Sequence, residues 1–267
     1  MKTKVAISIL FCLNAFLSVA QMDSVAKKKQ PITPKWQIGV NINTVEQADD
    51  FLIKERIIFN SHRKDNSYCL GMNISYRLKG DFHARLGFKY TNNRAEEIHD
   101  SRSDLGYGAG GGYNIDTLNS HQTVVYYTPG ISYGFQYKRL DFYGGFQVVY
   151  KNYGIITSNT LQWFYYSDGT LNELIRYKYT GGGGYAIGLG AFGGFSINIW
   201  KGISIGAELS STYSYYDIGG KTTIVKDVVN FTTPSNSYYG DYQETYRTFK
   251  GRGFSDILSS LNISFKF

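Results

Sequence analysis

ILSSLNISFKF, residues 257–267, alternates without a slip from Leu261 onward: Leu261, Ile263, Phe265 and Phe267 on one side, Asn262, Ser264 and Lys266 on the other. A period of two places the two sets on opposite faces of a β-strand. The fold then turns on which face meets water. Seven further stretches repeat the pattern: WQIGVNINTVE (36–46), YCLGMNISYRL (68–78), FHARLGFKY (82–90), YTPGISYGFQY (127–137), FYGGFQVVY (142–150), IGLGAFGGFSINI (187–199) and ISIGAELSSTY (203–213). Each is about the 9–11 residues a tilted strand needs to cross a bilayer.

The gaps between these eight segments alternate in length. Residues 79–81, 138–141 and 200–202 are tight, whereas 47–67, 91–126, 151–186 and 214–256 are long. Short turns at one end and long loops at the other are the rhythm of a membrane barrel with periplasmic turns and extracellular loops. The stretches IRYKYT (175–180) and TTIVKDVV (222–229) inside the long gaps are expected to extend strands above the membrane or to form hairpins there.

One face of the eight segments carries residues such as Ile38, Val40, Leu70, Met72, Leu86, Phe88, Ile131, Phe146, Leu189, Ile205 and Ile263, with Glu46 its one charge. The other carries Asn41, Asn73, Arg77, His83, Arg85, Lys89, Asp141, Gln147, Glu208, Asn262 and Lys266 among many glycines. Alternation alone fits a soluble barrel equally well; the aromatic positions separate the two. Tyr68, Tyr90, Tyr127, Tyr150, Tyr185 and Tyr213 fall at the loop ends of the apolar face. Trp36, Tyr76, Phe82, Tyr137, Phe142, Phe265 and Phe267 fall at its turn ends. Two aromatic rows around an aliphatic band match the girdles at the two interfaces of a membrane. A soluble core has no reason to sort tyrosine to one rim. The prediction is an all-β, closed, antiparallel up-and-down transmembrane barrel of eight strands, ten being the alternative.

The N-terminal stretch MKTKVAISILFCLNAFLSVAQ has basic Lys2 and Lys4, an apolar run, and Ser18-Val19-Ala20 as a small-x-small cleavage site. This reads as a signal peptide over 1–20, too short and too interrupted by Asn14 for a spanning helix. Residues 21–34, with Pro31 and Pro34, are expected to be a periplasmic arm, and 35–267 the barrel domain. Loss of Lys2 and Lys4 takes the formal charge from +7 to +5. That excess is scattered, so no nucleic-acid partner is expected. Cys69 is the only cysteine after residue 20, which excludes an intrachain disulfide there; with four dispersed histidines it also argues against a metal site.

Leu261, Ile263, Phe265 and Phe267 resemble the C-terminal signal by which bacterial outer-membrane barrels are recognised by their assembly machinery. The eight-segment pattern resembles the small outer-membrane barrels of the OmpA/OmpX transmembrane type and the related barrel domains of Bacteroidetes. The resemblance implies residence in a Gram-negative outer membrane after export, among its lipids and lipopolysaccharide.

An eight-stranded barrel is just wide enough for its own side chains. Arg77, Arg85 and Lys89 on the polar face should therefore pair with Glu208 as a lumenal charge network; a narrow channel lined by the same groups is the alternative. Inward glycines such as Gly71, Gly87, Gly188, Gly190 and Gly206 leave room for it. GYGAGGG (106–112) and GGGGYAIGLGAFGG (181–194) lack the lysine and helix of a phosphate loop. IHDSRSD (98–104) places His99, Asp100, Ser101 and Asp104 together, a thin basis for a hydrolase. QWFYYSDG (162–169) and NSYYGDYQETYRTF (236–249) are either ligand-binding aromatic loops or strand extensions. The expected role is non-enzymatic and without cofactor, exercised through surface loops. A solute channel and an outer-membrane hydrolase or secretion accessory are the alternatives.

Overall fold

The computed structural model describes residues 35–43, 62–100, 112–231, 238–255 and 257–267; the expected leader and arm lie outside them. In chain order the strands are β1 (Trp36–Asn43), β2 (His62–Asp65), β3 (Tyr68–Arg77), β4 (Phe82–Asp100), β5 (Tyr113–Tyr137) and β6 (Leu140–Tyr153). They continue with β7 (Ile156–Tyr165), β8 (Leu171–Gly181), β9 (Gly184–Trp200), β10 (Ile203–Asn230), β11 (Tyr238–Phe254) and β12 (Leu258–Lys266). All twelve belong to one sheet, and every pairing in it is antiparallel.

Eight strands close a ring in the order β1, β3, β4, β5, β6, β9, β10, β12 and back to β1. The closing seam pairs Ile38 with Phe265 and Val40 with Ile263, and Trp36 and Phe267 exchange backbone bonds of 3.0 Å in both directions. Closure matters because lipid offers no partner for an orphaned backbone group. The short connections turn at Gly80 (φ 64), Lys138 (φ 57) and Gly202 (φ 80). The glycines suit that left-handed region, which an L side chain such as that of Lys138 enters only at some cost.

The lower part of the ring is inside-out. Ile42, Leu86, Phe146, Leu189 and Leu261 are 54–76% exposed, while Asn41, Gln147, Ser204, Glu208 and Asn262 are at most 7% exposed. A water-soluble sheet would do the opposite; this is the surface of a transmembrane barrel.

The long gaps continue the wall. β5 pairs with β6 over its C-terminal part and with β7 over residues 113–121, so β7 takes up the place of β6. In the same way β8 succeeds β9 beside β10, β2 extends β3 along β4, and β11 extends β12 along β10. The breaks fall at residues 66–67, 154–155 and 182–183, and between the end of β11 at Phe254 and the start of β12 at Leu258. β10, with 28 residues, extends about 90 Å at about 3.3 Å per residue, far more than a bilayer crossing needs. IRYKYT and TTIVKDVV lie in β8 and β10 respectively, as strand extensions. The glycine run at 181–184 serves the handover from β8 to β9. A Cβ on Gly182 would lie 2.2 Å from the Gly219 carbonyl oxygen, and one on Gly184 (φ 152) would lie 2.3 Å from that of Asp217.

Above the breaks the polarity inverts. Register pairing places Leu118, Ile156, Ile175 and Val228 above the breaks on the inner face, where they are buried beside Asp116, Ser158 and Thr160; just below the 154–155 break Val124, Tyr126 and Val149 pack together with Tyr153. Asn119, Asn159, Arg176, Lys178 and Lys221 face outward and are exposed. This upper wall, the crown, is built like a protein in water. The inversion marks where the apolar belt ends.

Candidate functional site

The belt is bounded by two aromatic rows. At the loop end, ring centroids lie 6.5 Å apart for Tyr68 and Tyr90, 5.6 Å for Phe88 and Tyr127, 6.3 Å for Tyr127 and Tyr150, and 6.4 Å for Tyr150 and Tyr185. Tyr213 meets Phe254, a residue the sequence pattern did not single out, at 4.8 Å. At the turn end Trp36 packs on Tyr76 at 4.6 Å, Phe82 on Tyr133 at 5.2 Å and Phe135 on Phe142 at 5.2 Å, while Tyr137, Phe265 and Phe267 are exposed. These spacings are those of favourable aromatic pairs.

The lumen holds the charge. β4 and β10 lie four places apart in a ring of eight, so they face each other across it. Arg85 on β4 spans that width to Glu208 on β10 as a bidentate pair, Nη1 to Oε2 at 2.5 Å and Nη2 to Oε1 at 3.0 Å. Both side chains are buried, at 8% and 5% exposure. The guanidinium also lies 4.5 Å from the centre of the Phe192 ring. Two matched hydrogen bonds and an aromatic face offset the cost of taking both charges out of water.

The four residues expected to form one network do not gather at one level. Arg77 lies at the turn end, donating to the Gly80 carbonyl at 2.6 Å and to Asp81 at 2.8 Å. Lys89 is buried two inward positions above Arg85 on the same strand. The physical reason is reach. Consecutive inward positions on a strand are separated by about 6.6 Å, so charges on one strand sit at different heights and find partners at their own height.

A second cross-lumen cluster was missed from the sequence. Lys266 on β12 reaches Asp141 on β6 and Asn198 Oδ1 on β9 at 2.9 Å, and Asn198 donates to Asp141 at 2.9 Å. Asp141 and Lys266 both stood on the polar face at turn ends, which was the available signal. Above them Asn262 donates to the Tyr143 hydroxyl at 3.3 Å, again across the lumen. Nearer the crown, Lys151 is 1% exposed, with its ammonium 5.4 Å from the Tyr126 ring and 5.9 Å from that of Tyr216.

The inward glycines are filled from across the seams. A Cβ on Gly71 would lie 2.0 Å from Asn41 Oδ1, on Gly87 2.2 Å from Thr128 Oγ1, on Gly188 2.4 Å from Ser214 Oγ, and on Gly206 2.9 Å from Asn262 Oδ1. The room that the sequence reading left for a channel at these positions is occupied by neighbouring polar side chains.

In the crown, both aromatic stretches weighed as loops or extensions are largely strand. QWFY belongs to β7, where Tyr165 stacks on Tyr113 at 4.9 Å, and β11 begins at Tyr238. The β7–β8 turn is fixed by Thr170 N donating to Asp168 Oδ1 at 2.8 Å, which holds the Asp168 carboxyl below its ordinary range. Lys221 pairs with Glu244 at 2.7 Å, Tyr242 donates to the same carboxylate, and Lys250 pairs with Asp217 at 3.2 Å. His99 lies opposite Asp116 in the β4–β5 register, whereas Ser101 and Asp104 are outside the described residues.

No family model matches the chain. No curated protein matches it. Among solved structures it is similar to the outer membrane protein OprG from Pseudomonas aeruginosa, with a TM-score of 0.38 and 11% identity over 88% of this chain and 96% of that one. It is also similar to Neisserial surface protein A (TM-score 0.31, 13% identity, 87% and 97% covered) and to a major outer membrane protein from Thermus thermophilus (0.29, 12%, 87% and 99%).

Proposed function

We propose that this chain is an exported, integral outer-membrane barrel with a closed lumen, which acts without catalysis through its rigid crown. The observation that carries the closed lumen is the Arg85–Glu208 pair, which spans the barrel between opposite strands. The apolar belt between two aromatic rows supports residence in a membrane. The strand β12, with Phe265 outward and Phe267 just beyond it bonded to Trp36, is sealed to β1 and suits recognition by a barrel-assembly machinery.

Conductance in planar bilayers tests the reading. The refolded protein, its folding checked by the gel shift between unheated and boiled samples, is expected to give no steady openings. Ion-selective openings of constant amplitude would replace the closed barrel with a channel. Turnover of lipid A or of a peptide that disappears in His99→Ala would replace the non-catalytic role with a hydrolase.

A further inference from the structure

Three neighbouring strands of the crown present a polar cleft just above the tyrosine row. In register, Arg94 on β4 lies opposite His121 on β5, and His121 opposite Thr157 on β7; one step higher Glu96, Asn119 and Asn159 form a second row. Directly opposed residues of an antiparallel pair share a face. Arg94 has the same parity as Leu86, Phe88 and Tyr90, so both rows look outward, toward the lipid side of the wall. Together with the segment joining β2 to β3 they line a cleft of about 230 Å³.

Its height is informative. Arg94 is four residues beyond Tyr90, so it stands about 10 Å above that row once a strand tilt near 40° is allowed for. That is the outer edge of the headgroup layer, which adds about 5–8 Å to each side of the hydrocarbon. Its chemistry is informative too. Lys221 and Lys250, exposed cations farther round the crown, are already paired with Glu244 and Asp217, and the exposed Arg176 and Lys178 stand outside the cleft's lining. Among the described residues the Arg94 guanidinium has no ion-pair partner, and the side chains of Glu96, Asn119, His121 and Asn159 have no hydrogen-bond partner.

We infer that this cleft binds the phosphorylated saccharide headgroup of a glycolipid in the outer leaflet, the chemistry of lipopolysaccharide. The inference rests on the outer-membrane reading above. Arg94, with His121 beside it, takes the phosphate through charge-assisted hydrogen bonds. Asn119, Asn159 and Thr157 offer amide and hydroxyl partners to sugar hydroxyls. Glu96 would repel a phosphate but accepts hydroxyl protons, so it orients the sugar end toward the upper row and the phosphate toward the lower.

The test uses the full chain in phosphatidylcholine vesicles doped with rough lipopolysaccharide, with retained glycolipid counted by native mass spectrometry after detergent exchange. Wild type should retain the glycolipid. Arg94→Gln should weaken retention about tenfold, as expected for one charge-assisted hydrogen bond, and Lys221→Gln should leave it unchanged. Dephosphorylated lipopolysaccharide on wild type should match Arg94→Gln. Equal retention by wild type and Arg94→Gln overturns the site. Equal retention of phosphatidylglycerol in place of lipopolysaccharide overturns the saccharide half of the proposal. Failure of the folded wild-type protein to enter vesicles at all would sink the membrane reading instead, and the gel shift reports that outcome separately.

Discussion

Leu86 and Arg85 are chain neighbours on opposite faces of β4, and exchanging the character of one of them tests the barrel's orientation. Leu86 lies midway between Phe82 on the turn-end row and Tyr90 on the loop-end row, four residues from each. At about 3.3 Å per residue and a tilt near 40°, each row is about 10 Å away along the membrane normal. Leu86, 54% exposed, therefore sits near the midplane of the hydrocarbon. Leu86→Arg should cost about 2–4 kcal/mol there. With a guanidinium slope of about 3 kcal/mol/M, that lowers the unfolding midpoint by roughly 1 M. Ile98 has the same parity on the same strand but is eight residues past Tyr90, in the crown, and 41% exposed. Ile98→Arg should stay within about 0.5 kcal/mol, as for an ordinary wetted position. The assay is tryptophan fluorescence of the protein in vesicles across a guanidinium series. If Leu86→Arg were neutral, or if the two substitutions cost the same, the belt would not lie in lipid and the inversion of polarity above it would need another cause.

The lumenal pair is testable by a cycle: Arg85→Ala strands a buried carboxylate and should lose about 3–5 kcal/mol in the same unfolding assay, whereas Arg85→Leu with Glu208→Leu should recover most of that loss. A double variant as damaged as the single one would mean that Arg85 acts by packing on Phe192 rather than by pairing. Gly87→Ala places a methyl 2.2 Å from Thr128 Oγ1 and should cost about 1–3 kcal/mol, with Thr128→Ala restoring much of it; no rescue would show that the glycine is needed for its backbone. In the crown, the hydrogen bond from Lys221, followed by that from Tyr242, holds the Glu244 carboxyl below its ordinary range. A depressed carboxylate stabilises the fold above its unfolded pKa, and that contribution fades as pH falls through the folded value. Carboxyl-carbon NMR should accordingly find Glu244 titrating low, and Lys221→Met should move it back toward the ordinary range; an unmoved titration would remove the pairing.

The belt was legible because it rests on period-two alternation and on the sorting of aromatics to strand ends, both local properties. Leu86, Ile131, Leu189 and Ile263 stand where the pattern put them, exposed on one outer face. What the pattern concealed was a change of sign inside an unbroken strand. In β5 the apolar residues fall on odd positions from Tyr127 to Phe135 and on even ones at Leu118, Val124 and Tyr126, and the run VVYY at 124–127 masks the slip. In β10 the switch hides in TYSYY (212–216), between Tyr213 and Tyr216. A search for phase slips would have found the crown. Cross-lumen partners were a different matter. Glu208 had a visible sign but three candidate bases, and only the ring order with strand stagger selects Arg85.

The crown's inner core bears on function through rigidity. A loop that recognises a ligand must be ordered when it binds, and backbone ordering costs about 1–2 kcal/mol per residue. Here that ordering is already complete: β5 and β10 run unbroken from the belt into the crown, and Val124, Tyr126 and Val149 pack directly beneath the junction. Side chains on the outer wall, Arg94, His121 and Asn159 among them, are therefore held at fixed heights above the tyrosine row by the register that sets the belt. A ligand lying in the plane of the membrane meets a surface whose spacing cannot relax. On the proposed glycolipid reading, the height of Arg94 as well as its charge selects among headgroups, and moving the cation one outward position along the strand, in Arg94→Gln with Glu96→Arg, should leave the charge in the cleft yet fail to restore glycolipid retention.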